Sequence, residues 1–358
     1  MITSRIRRLA MTALVGVLLA TLAASCGSGS AKKTLYVYIW CDYLSDEVVA
    51  DFEKKYDCTV VQDIFDSNEM LEAKLKAGAS DYDIVVPSSY AAGKMFEQGM
   101  IQALDKERLA PTFKNLDSMV VKKFPESALD YSVPYMMSWT GIAYLKSKVP
   151  NFEPSWSMFE RPDLRKRMTL LDDYREVLGA ALKLLGYSAN TTDEAELRAA
   201  AEKVLEWKEL AAKFDNEQYK QGIASGEFYL VQGYVGDLLQ VQEDNEDIEI
   251  VLPREGTQFS IDSLAIPTGA KNVDLAYDFI NFLHEPANAA KNTEAVMYLC
   301  PNKPSYELLP EELRKNPSIF PDEAYVVEKA DLLRNLGEFQ PVYQRYWETV
   351  KGKDSLDD

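Results

Sequence analysis

The sequence predicts an α/β protein built as two domains joined by crossing strands. Three observations carry that expectation. Apolar, β-rich runs alternate with segments of helical period, and two long extended strings fall where a chain would pass between domains. Removal of a 25-residue leader also leaves 333 of the 358 residues, which fits two domains of ~100 to 200 residues each. TLYVYIW at 34–40 reads as a buried strand, SDEVVADFEKKY as an amphipathic helix and CTVVQDIF as the next strand, completing a β-α-β unit. DSNEMLEAKLKAG at 66–78 reads as helix, YDIVVPSS at 82–89 as a buried strand, and AAGKMFEQG as a short helix. Such alternation predicts a mainly parallel sheet covered by helices. DYSVPYMMSWTGIAYL at 130–145 is long, extended and aromatic, as a strand crossing between domains would be. A second α/β region follows with DDYREVLGAALKLLGY, the amphipathic EAELRAAAEKVLEWKELAAKF, the small-residue stretch YLVQGYVGD and the strand IEIVLP. SIDSLAIP at 260–267 reads as the return crossing, and NVDLAYDFINFLHE as a helix of the first domain.

Charge and composition remove several function classes. Asp and Glu number 57 against 39 Lys and Arg, giving −18 at neutral pH, and the cations form no patch that would neutralise phosphates. Nucleic acid is therefore not an expected partner. A single histidine, His284, leaves too little imidazole for Ser-His-Asp, Cys-His or two-His zinc chemistry. Its place near the end of an apolar helix predicts pairing with the helix dipole and no catalytic role. CxxC, HExxH, GxxxxGK and GxSxG are all missing, so neither a metal nor another cofactor is expected. Enzymes that work with carboxylates alone remain open at this point.

The first 25 residues read as a secretory signal, with Arg5, Arg7 and Arg8 ahead of the apolar LAMTALVGVLLATLAAS. LAASCGSGS resembles the lipobox of bacterial lipoproteins: Leu22, Ala24 and Ser25 fit, although Ala23 replaces the commoner Leu. Acylation of Cys26 and attachment to a membrane are expected, with residues 26–33 as a tether; the alternative is a plain signal peptide beside an incidental thiol. Loss of three Arg leaves the mature side chains at −21. The other cysteines, Cys41, Cys58 and Cys300, are odd in number and give no disulfide framework.

TLYVYIWCDYLSDEVVADFEKKY, FDSNEMLEAKLKAG, YDIVVPSSY, LLDDYREVLGAALKLLGYSANTTD and FSIDSLAIPTGAKN, in that order, resemble the periplasmic polyamine-binding proteins of ABC importers, along essentially the whole mature chain. The resemblance implies the two-lobed periplasmic solute-binding protein fold of type II. It divides the chain into one lobe of 34–138 and 262–307 and another of 139–261 and 308–358. It further implies a non-enzymatic, membrane-anchored protein outside the cytoplasm that closes on putrescine or spermidine and delivers it to permease and ATPase subunits. By the same resemblance, Trp40, Tyr43, Ser88, Tyr90, Tyr234 and Tyr298 match the family's aromatic and polar cage, and Asp173, Glu176, Asp237 and Asp262 match its carboxylates.

The residue chemistry agrees with that implication. An aliphatic chain ending in ammonium groups needs carboxylates, because an unpaired ammonium is costly to desolvate. Aromatic rings give flat contact to its methylenes and a negative face to its charges, at ~0.5 to 2 kcal/mol per ring. Other readings stay open: Asp173 and Glu176 have capping-box spacing, Asp262 suits a solvated turn, Asp237 the start of a helix, and Trp40, Tyr43 and Tyr90 an ordinary core. Where Asp173 and Glu176 start a helix, its positive end is expected to keep both ionised. Ser260 stands where spermidine-type relatives carry an aromatic, and the region of Leu333 lacks their amide. Asp42 and Asp237 resemble the putrescine type, so a mixed site leaning to putrescine is expected. A related solute-binding protein for another cation, such as iron or thiamine, and a carboxylate hydrolase are the alternatives.

Overall fold

The computed structural model describes residues 32–78, 81–124, 126–353 and 355–356. The signal peptide and the acylation expected at Cys26 lie outside the described residues. β1 (Lys33–Trp40), α1 (Asp46–Tyr56) and β2 (Cys58–Phe65) form the β-α-β unit. α1 buries Val48 and Phe52, four residues apart on one face, and ends at Asp57 in the left-handed conformation (φ 46°). α2 (Asn68–Lys76) starts where the Ser67 hydroxyl accepts the Met70 N–H.

YDIVVPSS behaves differently from the expected full strand. Only Ile84–Val85, β3, joins the parallel sheet of order β2-β1-β3. Pro87 has no N–H to offer a ladder, and the chain turns at once into α3 (Ser89–Glu97).

β4 (Val133–Leu145) and β9 (Thr257–Leu264) are the two crossings. All 13 residues of β4 are buried, which is why its sequence is apolar without alternation. Val133–Trp139 pairs antiparallel with β9, placing Ser138 opposite Ser260. Beyond Trp139 the same strand pairs with β7 (Leu230–Tyr234) and β8 (Ile248–Val251). The larger sheet runs β10-β9-β4-β7-β5-β6, with β5 (Met168–Leu170), β6 (Lys213–Phe214) and β10 (Ala330–Leu332). Beyond β9, Ala265 exchanges both backbone hydrogen bonds with Val85, at 2.9 Å each, so the return crossing also touches the first sheet.

Helices α4 (Tyr174–Leu184), α5 (Glu194–Leu210), α6 (Gln218–Ser225) and α7 (Val235–Gln242) serve the larger sheet, and α8 (Val273–Leu283) returns to the first. One apolar core joins Leu35, Val37 and Ile39 of β1 to Phe52, Phe279 and Ile280. The other runs from Tyr38 and Phe65 across the crossing strands to Leu178 and Trp207. Among the described residues no helix is long and apolar enough to span a membrane. His284 caps α8 and is 1% exposed, and neither ring nitrogen has a hydrogen-bond partner among the described residues. Burial pushes its pKa down to about 4, so the ring is neutral at ordinary pH and supplies no charge to the helix dipole. The expected pairing is therefore absent, because desolvation outweighs the attraction of the helix end.

Candidate functional site

Four parallel strand ends and one crossing strand converge on one cavity. β1 delivers Trp40 and, through the following turn, Tyr43; the segment after β3 delivers Ser88 and Tyr90. From the larger sheet come Asp173 and Glu176 beyond β5 and Tyr234 at the end of β7, while β9 contributes Ser260 and Asp262. Ligand sites of open α/β sheets form at these carboxyl ends. Eight of the ten residues singled out from the sequence thus line one cavity, together with Asn68 and Ser260.

Asp262 is held in place before any ligand arrives. Tyr43 Oη donates to its Oδ2 at 2.6 Å and Ser88 Oγ to its Oδ1 at 2.7 Å. Burial pushes its pKa up to about 6 against the pull of those two hydrogen bonds. Ser88 is fixed in turn by Asn68, whose Oδ1 accepts the Ser88 N–H at 3.0 Å and whose amide donates to Tyr90 Oη at 3.0 Å. Sequence reasoning missed Asn68, because a polar residue directly after the Ser67 cap looks like an ordinary helix start.

Asp173 caps α4, accepting the N–H groups of Arg175 (2.8 Å) and Glu176 (3.2 Å). The capping box is only half formed. Glu176 does not reach back; its Oε2 accepts from Thr140 Oγ1 at 2.6 Å and Gln258 Nε2 at 2.7 Å. The helix terminus also fails to keep both groups ionised. Burial, followed by the neighbouring charge of Asp173, pushes Glu176 up to about 8, and burial raises Asp173 as well despite its two backbone donors. Desolvation is the larger effect here. The Tyr43, Tyr90 and Tyr234 phenols are also pushed well above their ordinary pKa, chiefly by burial, so they act as neutral donors and flat walls.

Asp237 and Tyr298 lie behind this cavity and do not line it. Tyr298 packs edge-on against Tyr43, ring centroids 4.6 Å apart, and its Oη donates to Asp237 Oδ1 at 2.8 Å. Tyr219 Oη donates to Asp237 Oδ2 at 2.7 Å, and Lys220 Nζ stands 3.8 Å from the same oxygen. Gly236 permits that approach, since a Cβ there would sit 2.3 Å from the Tyr298 ring. Asp237 is thus a partnered buried carboxylate in the first turn of α7.

Comparison with known proteins places this arrangement. Residues 47–321 match the family described as bacterial extracellular solute-binding protein. The spermidine/putrescine-binding periplasmic protein of Salmonella typhimurium is 35% identical over 334 residues, covering 92% of this chain and 95% of that protein. The putrescine-binding periplasmic protein of Escherichia coli is 33% identical, with 95% of each chain covered. The crystal structure of the PotD lipoprotein of Treponema pallidum superposes with a TM-score of 0.80 at 33% identity, covering 89% of this chain and 99% of the other. These likenesses extend over the crossings and both sheets, so the type II solute-binding architecture holds. The chain belongs to the bacterial extracellular solute-binding proteins and is a homologue of their spermidine/putrescine-binding members.

Proposed function

We propose that this protein captures a polyamine, putrescine or spermidine, between its two lobes and hands it to the permease and ATPase subunits of an ABC importer. The observation that carries the reading is the acidic lining of the cavity. Three carboxylates, Asp173, Glu176 and Asp262, line it without a single Lys or Arg, and Trp40, Tyr43, Tyr90 and Tyr234 supply the aromatic walls. A dication with an apolar stem answers both features: its ammonium groups replace the water lost by the carboxylates, and its methylenes lie on the rings. Tyr90 and Tyr234 contribute aromatic walls, Ser88 and Asn68 order the donors around Asp262, and Ser260 lines the cavity with a small side chain.

The likeness to named spermidine/putrescine- and putrescine-binding relatives supports the same ligand class. In this reading β4 and β9 form the hinge near Ser138 and Ser260, and closure brings the first lobe's Tyr43, Ser88 and Asp262 against the second lobe's Asp173, Glu176 and Tyr234. Calorimetric titration of the purified mature protein tests it. Putrescine or spermidine is expected to saturate at one per chain, without turnover, while neutral amino acids give no competing heat. Absence of polyamine binding at millimolar concentration, or hydrolysis of a glycoside or amide, contradicts the reading.

Attachment through acylated Cys26 completes the proposal, supported by the LAASCGSGS string and by a relative described as a lipoprotein. The wild type is expected to partition into detergent, and Cys26→Ser to remain in the aqueous phase or stay unprocessed. Equal partitioning of the two would remove the anchor from the account.

A further inference from the structure

Asp237, the fourth carboxylate that the sequence singles out, already has a cation. Lys220 of α6 is 9% exposed, and its Nζ lies 3.0 Å from Asp42 Oδ2, 3.7 Å from Glu217 Oε2 and 3.8 Å from Asp237 Oδ2. Burial works to lower its pKa, yet the charges of Asp237, Asp42 and Glu217 hold it above the ordinary lysine value, so it stays protonated. Its position relative to the cavity is set by one turn. Trp40 and Tyr43 face the cavity, whereas Asp42 between them faces Lys220. The Tyr298 ring, edge-on to Tyr43 and hydrogen-bonded to Asp237, lies between the two. Lys220 is therefore an alkylammonium of the protein itself, seated one aromatic layer beyond the place proposed for an alkylammonium ligand.

We propose that Lys220 is a specificity-determining residue: its ammonium fills a second acidic pole at Asp237 that would otherwise accept the far amine of a longer polyamine, and so shortens the usable site. This rests on the polyamine reading above. It also reverses the expectation that Asp237 itself binds an ammonium of the ligand, because the carboxylate oxygens each accept a hydrogen bond from a phenol and Oδ2 faces Lys220 as well. With the lysine charge removed, Asp237 becomes a buried, uncompensated anion beside the cavity, and a ligand amine that reaches it relieves that cost. Of the two ligands, the triamine has the longer reach between these places. Lys220 also links α6 to the turn after β1, so a purely structural role would act on closure and change every ligand alike.

Titrating wild type, Lys220→Met and Lys220→Met/Asp237→Asn with putrescine and with spermidine separates these roles. The Met variant is expected to raise the spermidine-to-putrescine affinity ratio at least tenfold, and the double variant to return it to the wild-type value. Equal factors for both ligands overturn the specificity role and leave only a latch. Should Lys220→Met fail to fold, the ammonium resonance of Lys220 in isotope-labelled wild type provides the second measurement. It is expected to keep its position and its hydrogen-bonded exchange rate when spermidine saturates the protein, and displacement of that signal overturns the proposal. Wild type that binds no polyamine at all instead overturns the functional reading itself.

Discussion

Asp262→Asn is expected to weaken putrescine and spermidine binding by about 2 to 5 kcal/mol, the cost of breaking one side of a buried charge pair. That is a loss of roughly thirtyfold to several thousandfold in Kd. The size of the effect follows from how the carboxylate is built into the cavity. Tyr43 and Ser88 each donate to one of its oxygens and orient it, and it lies at 7% exposure where water screens little. Asn keeps the shape but offers an amide where the ammonium needs an anion, and one of the two fixed donors then meets an N–H. The fold should tolerate the change better than the ligand does, because the empty site gains by losing a buried charge. Parallel thermal melts separate the two effects. A change of less than threefold for every polyamine would remove Asp262 from the binding site.

Polyamine affinity is expected to rise with pH between about 6 and about 8. In the empty cavity burial, reinforced by the charge of Asp173, pushes Glu176 up to about 8, while burial pushes Asp262 to about 6. At pH 7 the unliganded protein therefore carries a proton on Glu176, and an arriving ammonium favours its release. The sign follows from linkage: binding that expels a proton is strengthened as pH rises and lost as pH falls, by at most about 1.4 kcal/mol per pH unit for one proton. Stability of the empty fold runs the other way. Both carboxyls have folded pKa values above their ordinary ones, so their contribution is full below about pH 4 and declines as pH rises through 6 and then 8. Calorimetry at pH 7 in buffers of different ionisation enthalpy is expected to show release of about one proton per ligand. Glu176→Gln should abolish that release. Identical heats in all buffers would mean that Glu176 is ionised before the ligand arrives.

The parts of this architecture that sequence shows most plainly are those governed by local period. α1, β2 and the fully buried β4 follow from the pattern of apolar residues, and the cavity residues cluster at strand ends because that is where an open parallel sheet has a crevice. Trp40, Tyr43, Ser88 and Tyr90 all follow β-rich runs. What escapes a sequence reading depends on contacts made far along the chain. Lys220 meets Asp42 across 178 positions, and nothing in NEQYKQG marks it off from the other lysines of exposed helix faces. Asn68 is hidden in a helix start for the same reason. The half-formed capping box depends on Thr140 and Gln258, which β4 and β9 bring to the start of α4 from distant segments, and the protonated Glu176 depends on burial and on the charge of Asp173, which outweigh those two donors. Burial, and with it the state of charge, is a property of the packed crossing strands that no local pattern contains.

A crystal structure of the mature protein grown with putrescine tests the central claim most directly. One diamine is expected in the cavity, an ammonium in hydrogen-bond contact with Asp262, the other beside Asp173 and Glu176, methylenes against the aromatic walls, and Lys220 still paired with Asp42. A diamine bound elsewhere, or one whose ammonium displaces Lys220 at Asp237, would contradict it.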